Sequence, residues 1–157
     1  MRNKILLTLS LQLLLMGCKK EEVTFYYAYV KNKSTHQIQI KPYSLGAVVT
    51  ANIILLPPNQ EIKISDDGSI RGISQNSGFG SKYFSGVDSL IVIFDGLYPI
   101  THYFINPTSL APKHYLNTSN RNLGNKYSYL LVGQDSKHTR TNSYYYDFTE
   151  QDYLDAR

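Results

Sequence analysis

The sequence predicts an all-β fold: an antiparallel β-sandwich, immunoglobulin-like or jelly-roll-like, with a short C-terminal helix, and an open β-barrel as the alternative. Three observations lead there. Short runs that alternate apolar and polar residues, or are apolar throughout, recur from Val23 to Phe148 with turn-forming Gly, Pro, Asn and Asp between them. The fourteen tyrosines, with no tryptophan, suit strands, because the ring covers a pleated surface while the hydroxyl stays wet. Helix start signals are missing until the last ten residues, and that combination belongs to sandwiches and barrels.

The first segment is expected to lie outside that fold. Arg2 and Lys4 precede an apolar run from Ile5 to Leu15, the layout of a secretory signal peptide. The run is too short to span a bilayer, which takes about 20 apolar residues, and Thr8, Ser10 and Gln12 interrupt it. Leu15-Met16-Gly17-Cys18 follows directly and resembles the lipobox of bacterial lipoproteins. The resemblance implies cleavage between Gly17 and Cys18, a diacylglyceryl thioether on the Cys18 sulfur, and acylation of the new amine. One acyl chain anchors only marginally and a second makes the attachment stable, so lipidated Cys18 is expected to hold the protein at a membrane. It is the sole cysteine, which leaves no intramolecular disulfide to form. Lys20-Glu21-Glu22 resembles the export signal that carries Bacteroidota lipoproteins to the outer face of the outer membrane; the periplasmic face is the alternative location.

The expected organisation is a signal peptide over 1–17, a lipidated tether over 18–22 and one β-rich domain over 23–157. Removing residues 1–17 from the 157 leaves 140, enough for a single core without disulfide or metal staples. It also takes the sixteen basic residues to fourteen against twelve acidic ones. That balance, with the basic residues scattered, gives no footprint for nucleic acid. If the first strand starts near Val23, the four residues after Cys18 reach at most ~14 Å, and the domain sits against the bilayer.

Eight strands are expected: 23–31, 36–41, 50–56, 61–65, 89–94, 97–104, 127–132 and 143–148. In 36–41, Ile38 and Ile40 share one face and Gln37, Gln39 and Lys41 the other. Glu61-Ile62-Lys63-Ile64 repeats the pattern between a Pro57-Pro58-Asn59 turn and an Asp67-Gly68 turn. Asp95-Gly96 between two apolar runs predicts a hairpin with a type I′ turn, pairing Leu90 to Phe94 with Leu97 to Ile105. Pro99 has no amide hydrogen, so the second strand should run along an edge or pair regularly only beyond it. Leu90 to Phe94 and Tyr129 to Val132 have no polar member, which predicts cover on both faces. The cover is expected from the C-terminus: Thr149 as N-cap, Asp152 three residues on, and Phe148 and Tyr153 flanking them form a capping box with a hydrophobic staple, opening a helix of about two turns.

The residues that carry chemistry are sparse. His36, His102, His114 and His138 occur in no ligand spacing, so no metal and no other cofactor is expected; His102, in register with Ile100 and Phe104, reads as a core histidine. No Gly-x-Ser-x-Gly elbow is present. The glycine-rich stretch 77–86 lacks the spacing that wraps phosphates and reads as a loop, and Asp66-Asp67-Gly68 reads as a turn rather than a calcium ligand set. Phe25 to Tyr29 and Tyr144 to Tyr146 offer rings for sugar stacking or a protein partner, with alternate rings directed to opposite faces. Asp88-Ser89-Leu90 resembles the site of Bacteroidota O-glycosylation, which makes Ser89 a candidate for modification.

Beyond these segments, Val30-Lys31-Asn32-Lys33-Ser34, the run from Val87 to Asp95 and the run from Asp147 to Tyr153 look like small lipoproteins of Bacteroidota, a resemblance that brings no catalytic residues. The expected function is a membrane-anchored, non-catalytic binding or structural accessory domain of the envelope, with an envelope protein or a glycan as partner. A glycan-acting enzyme, and an inhibitor or immunity protein against a secreted toxin, are the alternatives. Surface display predicts that protease added to intact cells digests the domain, and protection until the outer membrane is breached would refute it.

Overall fold

The computed structural model describes residues 23–70, 81–136 and 139–157, with the backbone alone at 66–70, 81 and 82. In chain order the strands are β1 (Val23–Asn32), β2 (Ile38–Ser44), β3 (Ala47–Val48), β4 (Ile54–Leu56), β5 (Glu61–Ile70), β6 (Ser89–Phe94), β7 (Tyr98–Tyr103), β8 (His114–Tyr115), β9 (Leu130–Asp135) and β10 (Thr139–Phe148). A short helix α1 (Ser81–Phe84) precedes β6, and α2 (Glu150–Ala156) follows β10. One sheet has the order β5-β1-β10-β9, the other β3-β2-β6-β7-β8 with β4 beside β2. Neither closes on itself, so the sandwich holds and the barrel does not.

Alternation decides what lies between the sheets. Ala28 and Val30 of β1 and Tyr146 and Phe148 of β10 are buried, as are Ile38 and Ile40 of β2 and Leu90, Val92 and Phe94 of β6. Phe94 and Phe148 meet across the layers edge to face, with ring centroids 6.0 Å apart and planes at 87°, a geometry favoured by the ring quadrupoles.

Most pairings are antiparallel as expected, but β1 runs parallel to β10 and β7 parallel to β8. Parallel neighbours need a long connection, and here the whole domain lies between β1 and β10. Hydrophobic periodicity carries no direction, so the sequence could not announce this.

The Asp95-Gly96 turn has φ of 50° and 73°, the positive pair that type I′ requires, and Leu97 N–H donates to Phe94 O at 2.9 Å. Pairing starts one residue later than expected, Phe94 opposite Tyr98, with Leu97 left over. Pro99 pairs with Ile93 on one side, while β8 joins the other side only at Thr101 and His102, so Pro99 occupies an edge.

Three expectations are corrected. Asp67-Gly68 is no turn: β5 continues through it, with Asp67 opposite Tyr26 and Gly68 opposite Phe25. The helix α1 occupies 81–84 of the glycine-rich stretch, and 77–80 lie outside the described residues. Leu130, Leu131 and Val132 are 67%, 51% and 49% exposed, so β9 is an uncovered edge rather than a strand buried on both faces. Lys126 to Ser128 form a 3-10 turn and only Tyr129 turns inward, where its hydroxyl donates to Leu123 O at 2.8 Å.

The helix α2 begins where Thr149 predicts. Thr149 N–H and Oγ1 both donate to Asp152 Oδ2, at 2.7 and 3.0 Å. Phe148 and Tyr153 both pack on Phe94, each with its centroid 6.0 Å away, so the staple closes through a third ring. The helix seals the end of the sandwich and leaves Ile91 and Ile93 half-buried on the outer face of β6.

Asp152 is 2% exposed and is held by Arg121, whose Nε lies 3.0 Å from Oδ1 and whose Nη2 lies 2.5 Å from both carboxylate oxygens. Nη2 also donates to Asp147 O at 3.0 Å. The guanidinium sits 4.7 Å above the Tyr146 ring, and the Tyr146 hydroxyl donates back to Arg121 O at 2.8 Å. Removing one partner of a buried pair leaves an uncompensated charge, so Arg121→Met is expected to lower the unfolding free energy by about 3 kcal/mol. Urea denaturation measures it, and a midpoint unchanged from the parent would contradict this role.

Candidate functional site

Parity on β1 and β10 sends half of the aromatic residues inward and half outward. Ala28, Val30, Tyr146 and Phe148 point to the core; Phe25, Tyr27, Tyr29 and Tyr145 therefore share the outer face of the four-stranded sheet, where all four are half-buried. The parallel register places Tyr29 beside Tyr145. Their rings stack with centroids 5.0 Å apart and planes 12° from parallel. Tyr27 lies 6.5 Å from Tyr29 and 6.2 Å from Phe25, the latter pair within 3° of parallel.

On one flank Lys63 Nζ stands 4.7 Å from the centre of the Tyr27 ring, a cation–π contact. On the other, Val132 pairs with Ser143 and Leu130 with Tyr145 on β9, extending the apolar area to the free edge of the sheet. Among the described residues no strand pairs with that edge. Burial raises the Tyr29 hydroxyl above its ordinary pKa, with Lys63 pulling the other way, so it stays a neutral donor and acceptor. With Tyr29 and Tyr145 face to face and Tyr27 under Lys63, one plane of each of these three rings is already occupied.

A second cluster carries no sequence signal, because its members are far apart along the chain. His36, in the β1–β2 connection, lies between two carboxylates: Nδ1 is 2.5 Å from Asp95 Oδ2 and Nε2 is 3.3 Å from Glu150 Oε2. Its ring stacks on Tyr153 with centroids 3.5 Å apart. Asp95 Oδ1 also accepts from Gln37 N–H at 3.0 Å, and Glu150 Oε1 from Thr35 N–H at 2.6 Å. The cluster ties the β1–β2 connection to the β6–β7 turn and to the start of α2. Both imidazole nitrogens are occupied, which makes His36 a fastener.

His102 is fully buried, its Nδ1 accepting from Leu123 N–H at 3.0 Å. Desolvation, with the Arg121 charge adding to it, pulls its pKa down to about 3, so the ring is neutral at ordinary pH and serves the core. Asp152, the buried carboxylate among the described residues, is committed to Arg121 and Thr149. Among the described residues no group of three His, Cys, Asp or Glu side chains is arranged to hold a metal.

Of the residues singled out in the sequence, Gly17, Cys18, Lys20, Glu21, Glu22 and His138 lie outside the described residues. Ser89 opens β6, paired with Tyr43 on one side and Tyr103 on the other. It is half-buried, and its hydroxyl donates to Asp88 Oδ1 at 2.8 Å. No described helix is long and apolar enough to cross a membrane.

The fastener has a pH signature. The hydrogen bond from His36 holds the Asp95 carboxyl below its ordinary pKa, and the Thr35 N–H does the same for Glu150. A carboxyl depressed in the folded state stabilises above its unfolded pKa, about 4, and loses that contribution as pH falls through the folded value. Stability is therefore expected to decline as pH drops below about 5, and Asp95→Asn is expected to flatten that decline. Urea midpoints collected across this range provide the measurement; identical profiles for parent and variant would remove Asp95 from the account.

Comparison of the chain with protein-family models, with curated proteins and with solved structures gave no match.

Proposed function

We propose that this protein is a membrane-anchored, non-catalytic binding domain of the bacterial envelope, attached through Cys18 and carried to the outer membrane by Lys20, Glu21 and Glu22. On this reading it docks an envelope protein on the outer face of the four-stranded sheet. The observation that carries the reading is the outward row of Phe25, Tyr27, Tyr29 and Tyr145, continued by the exposed Leu130 and Val132 at the β9 edge.

Tyrosine supplies large contact area at low entropic cost and is enriched in the centres of protein interfaces. Stacking of a sugar requires a free ring plane. Here Tyr29 and Tyr145 each give one plane to the other and Lys63 takes one plane of Tyr27, which leaves less plane for a sugar and favours a protein partner. An exposed strand edge adds unpaired backbone donors and acceptors that an extended segment of a partner can complete.

A photo-reactive residue placed at Tyr145 or Leu130 in cells tests the reading against the same residue at Gln39, on the outer face of the other sheet. One adduct of a single mass from Tyr145 and Leu130, and none from Gln39, is expected. Adducts of equal yield from all three positions, or none at all, would refute the docking face. Retention on an envelope polysaccharide that is lost in Tyr27→Ala would transfer the face from a protein to a glycan.

A further inference from the structure

We infer that the groove on the outer side of β6 and β7 is a second binding site, for a small amphipathic anion: an aryl or branched-alkyl body carrying one carboxylate. The groove has a volume of about 480 Å³, inside the roughly 300–1,000 Å³ of small-molecule sites. Ile91, Pro99 and Thr101 form its floor, Ala156 closes one side, and Lys113 and Arg157 stand at the rim.

Its walls are already fastened. The segment 111–113 is tied down by Ala111 N–H donating to the Tyr103 hydroxyl at 2.9 Å, by His114 Nδ1 against Ala111 O at 2.8 Å, and by Thr101 N–H donating to Lys113 O at 3.0 Å. The opposite wall is the end of α2, where Arg157 N–H donates to Tyr153 O at 2.9 Å. A ligand entering such a groove orders little chain, which removes a large part of the cost of binding.

Two features specify the occupant. The side chains of the lining include two cations and no carboxylate, and the side chains of Lys113 and Arg157 form no ion pair among the described residues. The neighbouring Asp155 accepts from the Tyr115 hydroxyl at 2.7 Å and the Gln151 amide at 2.8 Å, and it feels the Lys113 charge without contact. An anionic head therefore meets complementary charge at the rim, while an apolar body replaces water over Ile91, Pro99 and Ala156. In addition, Thr101 is only 8% exposed and its hydroxyl has no hydrogen-bond partner among the described residues. This leaves one polar contact on an otherwise apolar floor, the pattern that fixes orientation in small-molecule sites.

The test is a chemical-shift titration of the ¹⁵N-labelled full chain with phenylacetate, its neutral counterpart phenylacetamide, and anionic lipid vesicles. Saturable shifts at the amides of Ile91, Thr101, Lys113 and Arg157 are expected with phenylacetate, and affinity about tenfold weaker with the amide, the loss of one charge-assisted hydrogen bond. Lys113→Gln with Arg157→Gln, both exposed positions, should bind acid and amide equally while keeping the parent's thermal unfolding midpoint. Equal affinity for acid and amide in the parent, or shifts that fail to saturate, would overturn the inference. So would shifts at these amides with vesicles but not with phenylacetate, which would assign the charge to a membrane surface.

Discussion

A buried carboxylate must find its counter-charge inside the protein, and Asp152 finds it at Arg121, thirty-one residues away in sequence. The pair organises one end of the sandwich. From the loop after β8, Arg121 reaches the last residues of β10 through Asp147 O and the first turn of α2 through Asp152, while lying over Tyr146. Asp152 meanwhile caps its own helix through Thr149. A loop that carries little regular structure is thereby fixed against the core, and with it Leu123, whose N–H supplies the partner of buried His102. Desolvation makes such a pair a poor source of net stability compared with apolar packing. Its effect is positional, because the charge is tolerated in only one arrangement of loop, strand and helix.

The seal at this end is shared with the His36 cluster. Tyr153 packs on Phe94 and Tyr98 edge to face and receives the His36 ring flat on its own. Apolar contact on one side of α2 and polar contact at its first residue act on the same seven-residue helix, which is too short to persist alone in water. Its position next to β7 in turn supplies Ala156 and Arg157 to the groove beside Ile91. The amphipathic groove is thus a by-product of how the C-terminal helix had to be anchored, with the β6–β7 surface as its base.

At the far face the same residue type has two fates. Tyr146 is buried with its hydroxyl on Arg121 O, whereas Tyr145, one residue earlier, faces outward and stacks on Tyr29. The outer row spans two strands because β1 and β10 lie side by side in parallel register. Leu130 and Val132 join it because β9 closes the sheet without being covered. An apolar edge strand is a liability for a freely diffusing protein, which is why this surface carries the docking proposal.

The sequence by itself determined the local features. Period-two alternation placed β2 and the first half of β5; Asp95-Gly96 between two apolar runs placed β6 and β7 around a type I′ turn; Thr149 and Asp152 began the last helix. In each of these a few adjacent residues contain the whole physical cause. Tertiary structure decided what depends on distant neighbours. Leu130 to Val132 look like a buried strand until the sheet order leaves them at an edge, and Asp67-Gly68 looks like a turn until β1 pairs with it. Arg121 with Asp152, and His36 with Asp95 and Glu150, are scattered polar residues until chain crossing brings opposite charges together. Hydrophobic pattern reports only whether a residue has a dry side; strand order determines which neighbour supplies it, and no local pattern encodes that order.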